Sequence, residues 1–255
     1  AKERGFREIY LPVENAYEGA LVSGVSVYPV KNLAEIIDHL DKRNKEKKKI
    51  SAQPKTKIEK EEDEDSLDIS DIMGQENAKR ALEIAAAGGH NVAMWGPPGT
   101  GKTMLAKTFR GLLPDLSFDD ILEATSIHSI AGNLGSGKLI TRPPFRSPHH
   151  TSSYIALVGG GTIPKPGEIT MAHKGVLFLD EFPEFDRRVI NALRQPLEEK
   201  TISISRARGS ASFPANFIMI AALNPCPCGN WGSEKECVCP PQVLARYRRK
   251  ISGPI

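Results

Sequence analysis

Gly96-Pro97-Pro98-Gly99-Thr100-Gly101-Lys102-Thr103 matches the pattern G-x-x-x-x-G-K-[ST] at every fixed position. Its setting matters as much as the match. The run Asn91-Val92-Ala93-Met94-Trp95 leads into it and reads as a short buried strand. Met104, Leu105 and Phe109 follow at spacings that suit a helix. Strand, glycine-rich turn and helix in that order make a cradle for phosphate. The glycines let the backbone close around phosphate oxygens with its N–H groups turned inward. The helix N-terminus adds the positive end of its dipole. Gly96, Pro97, Pro98, Gly99, Thr100, Gly101, Lys102 and Thr103 are therefore the expected nucleotide-binding residues. Lys102 is expected to reach the β- and γ-phosphates, and the Thr103 hydroxyl to ligate Mg²⁺. A Gly/Pro turn matching by chance would have no reason to sit between such a strand and such a helix.

Two further apolar runs lie downstream. Val176-Leu177-Phe178-Leu179 ends in Asp180-Glu181, and Phe217-Ile218-Met219-Ile220-Ala221-Ala222-Leu223 ends in Asn224. Near-continuous apolar strands joined by helical patterns predict a parallel sheet covered on both faces. Such sheets bind ligands at the carboxyl ends of their strands, which is where these polar residues fall. Asp180 is expected to hold Mg²⁺, mostly through water, and Glu181 to polarise an attacking water as a general base. Asn224 either orients that water and senses the γ-phosphate or starts the turn before Pro225. Upstream, Ala78, Ala81, Leu82 and Ala85 share one face of a helix predicted over 75–87, which Gly88-Gly89 stops. Pro196 falls inside a helix predicted over 186–199 and should kink or split it.

The chain has 255 residues, 40% hydrophobic and 25% charged, an ordinary balance for a soluble globular protein. No apolar run approaches the ~20 residues that cross a bilayer. The start, AKERGFREIY, has no hydrophobic segment of the kind a secretory signal needs. With 34 basic and 31 acidic residues the net charge is +3, too balanced to indicate a nucleic-acid partner by itself. In residues 1–40, Ile9-Tyr10-Leu11 and Val25-Ser26-Val27-Tyr28 read as strands. Leu33, Ile36, Ile37 and Leu40 fall at helical spacing after Asn32, a candidate N-cap. That makes a thin core, as expected for the tail of a larger domain. Residues 41–66 carry Ile50 and Ile58 as their only large aliphatic residues, and Glu61 to Asp65 are all acidic. Such a segment cannot bury enough apolar surface to offset its ordering entropy and reads as a disordered, charged linker. A basic arm for nucleic acid is the other reading, which the adjoining acids would partly neutralise.

All four cysteines, Cys226, Cys228, Cys237 and Cys239, fall within one short stretch as two CxC pairs. Four thiolates this close could surround a tetrahedral Zn²⁺. A redox pairing and plain free thiols are the alternatives, and CxC is less diagnostic than CxxC. His149 and His150 are adjacent, and adjacent side chains diverge in extended chain, which favours polar contacts in an insertion loop over a role in metal binding or catalysis. Thr201-Ile202-Ser203-Ile204-Ser205 alternates and is followed by Arg206, Arg208 and Gly209. It reads as a β-hairpin with a basic tip, either a DNA-backbone contact or an ordinary exposed hairpin. Arg246, Arg248, Arg249 and Lys250 make a basic helix face suited to DNA, to a subunit interface or to solvent.

These motifs in this order resemble an AAA+ ATPase, with Asp71-Ile72-Met73-Gly74-Gln75-Glu76-Asn77-Ala78 similar to the segment that lines the adenine pocket. The closer resemblance is to the magnesium-chelatase-like branch, the ComM/YifB family. It is carried by Phe145-Arg146-Ser147-Pro148-His149-His150, by Gly159-Gly160-Gly161 through Pro164-Lys165-Pro166-Gly167-Glu168-Ile169, and by Ala172-His173-Lys174-Gly175 running into Asp180-Glu181. Leu193-Arg194-Gln195-Pro196-Leu197-Glu198 and Asn224-Pro225-Cys226-Pro227-Cys228-Gly229 extend it, so that it covers nearly all of 67–255. The resemblance implies an α/β fold, a three-layer αβα sandwich with a parallel sheet, preceded by a small α+β piece resembling the end of a Lon-like domain over 1–40. It implies Walker A at Gly96–Thr103, Walker B at Asp180 and Glu181, and sensor 1 at Asn224. It further implies a hexameric ring of identical subunits in the bacterial cytoplasm, with ATP at each interface, a neighbour's arginine completing the site, and DNA as the substrate of a branch-migration motor in recombination or natural transformation. In such a ring the insert Gly159–Glu168, with Lys165 its one basic residue, lines the pore or passively connects. The arginine finger, the lid and sensor 2 are expected beyond Ile255, so this chain is expected to bind nucleotide and hydrolyse it poorly, without protease activity. The alternatives are a chelatase motor subunit that drives metal into a porphyrin, and a scaffold whose ATP state controls assembly.

Overall fold

The computed structural model describes residues 1–41, 49–56, 58, 67–135, 138–161, 164–206, 209–232 and 234–251. Contacts divide the chain into two units, one of residues 1–61 with 133–141 and one of 62–132 with 142–255.

The first unit is a small βαβ element. Strand β1 (Glu8–Pro12) leads into helix α1 (Val13–Gly19) and strand β2 (Ser26–Val30), which pairs parallel to β1 in the register Ile9↔Val27, Tyr10↔Tyr28. Helix α2 (Leu33–Leu40) follows, and the Asn32 side chain accepts from the Glu35 N–H, as a cap should. Among the described residues of this unit, Ala16, Ala20, Leu21, Val27 and Leu139 are buried apolar residues. The expected linker behaves differently over 49–56. Gln53 donates its N–H to the Val27 carbonyl at 2.8 Å, and the Thr56 hydroxyl donates to the Tyr17 carbonyl at 2.7 Å. Backbone pairing and one buried threonine order this stretch without the aliphatic side chains whose absence suggested disorder. Residues 42–48, 57 and 59–66 of that expectation lie outside the described residues. Residues 133–141 also group with the first unit, inside the span expected to belong wholly to the core.

The second unit is built on a parallel sheet. Helix α3 (Glu76–Gly88) precedes strand β3 (Val92–Trp95) and helix α4 (Lys102–Leu112). Helix α5 (Phe118–Ala131) and the short strand β4 (Phe145–Arg146) come next. A connecting region holds helix α6 (Tyr154–Val158), strands β5 (Gly159–Gly160) and β6 (Lys165–Pro166), and helix α7 (Glu168–Met171). Strand β7 (Val176–Leu179) then enters the sheet. The segment expected as one helix over 186–199 forms two, α8 (Arg187–Ala192) and α9 (Arg194–Glu199), as the missing N–H of Pro196 requires. Strands β8 (Thr201–Arg206) and β9 (Gly209–Pro214) form an antiparallel hairpin, strand β10 (Ile218–Leu223) returns to the sheet, and helix α10 (Pro241–Ile251) follows.

The sheet order is β3-β10-β7-β4, with all pairs parallel. Side-chain alternation explains the three layers. Val176, Phe178, Ile220 and Ala222 point to one face and pack with Leu82 of α3 and Leu105, Ala106 and Phe109 of α4. Leu177, Leu179, Met219, Ala221 and Leu223 point to the other and pack with Ile169, Val189, Ile190 and Leu193. Both faces are covered, which is why these strands read as unbroken apolar runs. Because β10 lies between β3 and β7, the ends of all three strands open on one edge. That places the phosphate loop, Asn224 and Asp180 together. No helix among the described residues is long and apolar enough to cross a membrane.

Candidate nucleotide site

The loop after β3 is pinned to the sheet where it begins, since Gly96 donates its N–H to the Leu223 carbonyl at 3.2 Å. Gly99 and Gly101 have φ of 82° and 83°, a left-handed conformation that costs a residue with a Cβ roughly 1–2 kcal/mol. Gly101 directly precedes α4, so the unpaired N–H groups of that helix face the loop. Lys102 Nζ donates to the Gly96 carbonyl at 2.7 Å, the Pro97 carbonyl at 2.9 Å and Asn224 Oδ1 at 3.3 Å. Burial lowers the Lys102 pKa, and the Asp180 charge offsets part of that shift.

Across the edge, Thr103 Oγ1 donates to Asp180 Oδ2 at 2.9 Å, and Glu181 donates its N–H to Asp180 Oδ1 at 2.9 Å. Both carboxylate oxygens are thereby oriented. A hydroxyl and a carboxylate are the hard oxygen donors Mg²⁺ prefers, so Thr103 and Asp180 suit that ion. Glu181 itself has φ 51°. Its Oε2 lies 3.0 Å from His150 Nδ1. The fold therefore brings His150, for which polar loop contacts are the expectation, to the acidic edge. The expected divergence of the two histidines does not hold either. Their ring centroids are 4.2 Å apart, because the chain turns here rather than running extended. No local pattern signals the pairing of His150 with Glu181, which joins separate segments of the chain.

Beside the loop lies a cleft of about 360 Å³, lined among others by Gln75, Ala78, Leu82, Trp95, Thr100 and Lys102. Its walls are largely apolar, as a base would need, and it opens onto the phosphate loop. A larger cleft of about 490 Å³ lies at the other end of α4, lined by Lys107, Arg110, Arg142 and Phe145 among others. No residue of the phosphate loop or of the acidic edge lines it, whereas Gly96, Pro97, Thr100 and Lys102 line the smaller cleft. Arg146 of β4 makes two hydrogen bonds to Glu168, at 2.6 and 2.7 Å, which fasten the sheet edge to α7.

The four cysteine sulfurs converge, all within 4.8 Å of one another. The Asn230 backbone N–H, then the Cys226 thiol, hold Cys228 down to about 6. Arg206 ends β8 opposite Gly209, whereas residues 207 and 208, and with them the expected Arg208 tip, lie outside the described residues. Lys165 is exposed on β6, and residues 162 and 163 of that insert lie outside the described residues. On α10, Arg248 stacks over the Trp231 ring at 5.0 Å and Lys250 lies 3.6 Å from Glu184. Residues 252–255 lie outside the described residues.

A family model described as magnesium chelatase, subunit ChlI, matches residues 68–255. Competence protein ComM of Haemophilus influenzae is 46% identical over 259 residues, covering 100% of this chain and 50% of that protein. YifB of Escherichia coli, itself described as uncharacterized, is 53% identical over 188 residues, covering 73% of this chain and 37% of that protein. The chain thus spans about half the length, or less, of these curated relatives. Among solved structures, a cryo-EM-based complex between subunits BchI and BchD of magnesium chelatase aligns with a TM-score of 0.49 and 24% identity, over 69% of this chain and 58% of that one. The chain belongs to the magnesium-chelatase family of AAA+ ATPases, in its ComM/YifB-like branch.

Proposed function

We propose that this chain carries the ATP-hydrolysing core of a Mg²⁺-dependent motor that works on DNA as a ring of identical subunits. The observation that carries the ATPase half is the convergence of Lys102, Thr103, Asp180 and Asn224 at one sheet edge. Lys102 exchanges its carbonyl partners for the β- and γ-phosphates, a trade of neutral acceptors for charged ones. The amides of Gly99 to Thr103 close around the phosphates. Thr103 and Asp180 are the residues that would hold Mg²⁺, which supplies charge neutralisation on the phosphate oxygens. Glu181 accepts a proton from the attacking water, Asn224 orients that water, and His150 is a positioning residue for Glu181. In the ring, an arginine from the neighbouring subunit completes the site.

The DNA half has different support. It rests on 46% identity to a competence protein over the whole of this chain. The basic helix α10 is a surface that suits a phosphate backbone. A chelatase role has weaker relatives behind it, 28% identical for the magnesium-chelatase 67 kDa subunit of Heliobacterium mobile.

The test is steady-state ATP hydrolysis by the full-length protein, with and without a four-way DNA junction. Hydrolysis is expected to rise several-fold with the junction. Lys102→Ala should weaken ATP binding at least about tenfold, the loss of one charge-assisted contact. Glu181→Gln should bind ATP normally and lose about 10²–10⁴ in turnover. Equal ATP affinity in wild type and Lys102→Ala contradicts the site. Hydrolysis indifferent to DNA contradicts the substrate.

A further inference from the structure

Residues 225–240 join β10 to α10, and among the described residues there none lies in a helix or strand and few bury an apolar side chain. Val238 is 78% exposed and Trp231 47% exposed. Something other than a hydrophobic core must fix this segment, and what lies at its centre is sulfur. Cys226 and Cys228 place their Sγ atoms 3.3 Å apart, Cys228 and Cys237 3.6 Å, and Cys237 and Cys226 3.6 Å. A disulfide would need about 2.0 Å. A tetrahedron with metal–sulfur bonds of ~2.3 Å has edges of about 3.8 Å, close to these separations. The surroundings suit thiolates as well. The Trp231 N–H donates to Cys226 Sγ at 3.3 Å, the kind of amide contact that orients the sulfurs of a metal site. Cys226 is buried and the other three are half-buried, so four protein ligands close the site and leave no position for a substrate. Four soft sulfur donors in a closed tetrahedron select zinc over the hard cations.

The segment also touches the nucleotide machinery. It begins directly after Asn224. Gly229, at φ 79°, lies so close to the phosphate loop that a Cβ there would come within 2.7 Å of Pro98 Cδ. Tyr247 of α10 donates its hydroxyl to the Asn224 carbonyl at 3.1 Å. We propose that Cys226, Cys228, Cys237 and Cys239 bind one structural Zn²⁺, and that the resulting knuckle holds Asn224 and Pro98 in place at the nucleotide. The second clause rests on the nucleotide reading above, whereas the first does not.

The experiment uses the full-length protein. Elemental analysis is expected to give about one zinc per chain, with the four thiols reacting with a disulfide reagent only after a strong chelator is added. Adding Co²⁺ to the stripped protein should give the intense visible absorption of a tetrahedral thiolate site. Cys239→Ser should weaken that absorption, with the mild substitution keeping the chain folded. If Cys239→Ser does not fold, the cobalt spectrum of the wild type still decides. Stripping zinc should weaken binding of a fluorescent ATP analogue about tenfold, and zinc alone should restore it. No zinc as purified, no uptake of Zn²⁺ or Co²⁺, and four freely reacting thiols overturn the site. Bound zinc whose removal leaves analogue affinity unchanged overturns the coupling to Asn224 and Pro98. If the wild type binds no nucleotide at all, the nucleotide reading fails while the zinc content stands on its own.

Discussion

Glu181 sits at φ 51° and ψ 41°, a conformation that costs a non-glycine residue roughly 1–3 kcal/mol and persists only where neighbours over-determine it. Two neighbours do so. Its N–H donates to Asp180 Oδ1, and its carboxylate meets the His150 ring. His150 is in turn wedged between His149 and Phe185, whose ring centroid is 6.4 Å away. On the proposed reading of Glu181 as the general base, its carboxylate loses its aim when the His150 contact goes. His150→Ala is therefore expected to lower kcat for ATP about tenfold, the worth of one charge-assisted hydrogen bond of ~1.4 kcal/mol. KM should change less than about twofold, since the contacts of His150 are with His149, Glu181 and Phe185. His150→Gln, which keeps a polar tip near Glu181, should recover part of the loss. A fall in ATP affinity with kcat unchanged would contradict this role. Residues such as Lys102 and Asp180 were legible in the sequence because chain-local patterns mark them. His150 was not, because its contact with Glu181 exists only once the fold brings it to the end of β7.

At the scale of elements, β7 shows why some were legible and others not. Every residue of β7 is buried, so four apolar letters in a row ending at an acid sufficed. Its Phe178 is 1% exposed and stacks on Phe145 of β4, with centroids 6.1 Å apart. Phe178→Ala should cost about 3–5 kcal/mol through lost burial and a cavity, seen as a lower midpoint in urea unfolding with an unchanged slope. A loss under 1 kcal/mol would mean that the layer on that face collapses to fill the gap. β4 itself spans two residues, too few for any period to register. Helix α5 could have been found. Ser117 caps it by accepting from the Asp120 N–H, and Ile121, Ala124, Thr125 and His128 are buried along one face. The segment 49–56 makes contacts that composition does not announce. Its order comes from backbone pairing and from Thr56 rather than from aliphatic content, and composition does not report on that.

Two buried histidines couple the fold to pH. His173 is 3% exposed, and its Nδ1 accepts the Asn216 N–H at 2.9 Å. The ring proton must then sit on Nε2, 3.1 Å from Glu123 Oε2. Charging the ring would place a proton on Nδ1 and break the Asn216 bond. Burial lowers the His173 pKa, with Glu123 and Asp120 opposing that shift and Lys174 adding to it. His128 is 6% exposed, with Nε2 3.0 Å from the Met171 carbonyl. Burial again lowers its pKa, the Met171 carbonyl and Glu168 opposing and Arg146 adding. In the unfolded chain both titrate near 6.5. Just below that value the unfolded state binds more protons than the native state, so stability falls as pH falls. Below the lowered native values the two states hold the same protons at these sites, and the histidines contribute no further loss. Thermal melts of wild type are therefore expected to drop in midpoint on going from pH 7 toward pH 5. The double variant His128→Gln, His173→Gln should melt lower at pH 7 but show a shallower dependence over that range, because neither glutamine can take up the proton. Parallel curves for the two proteins would place the pH sensitivity elsewhere in the fold.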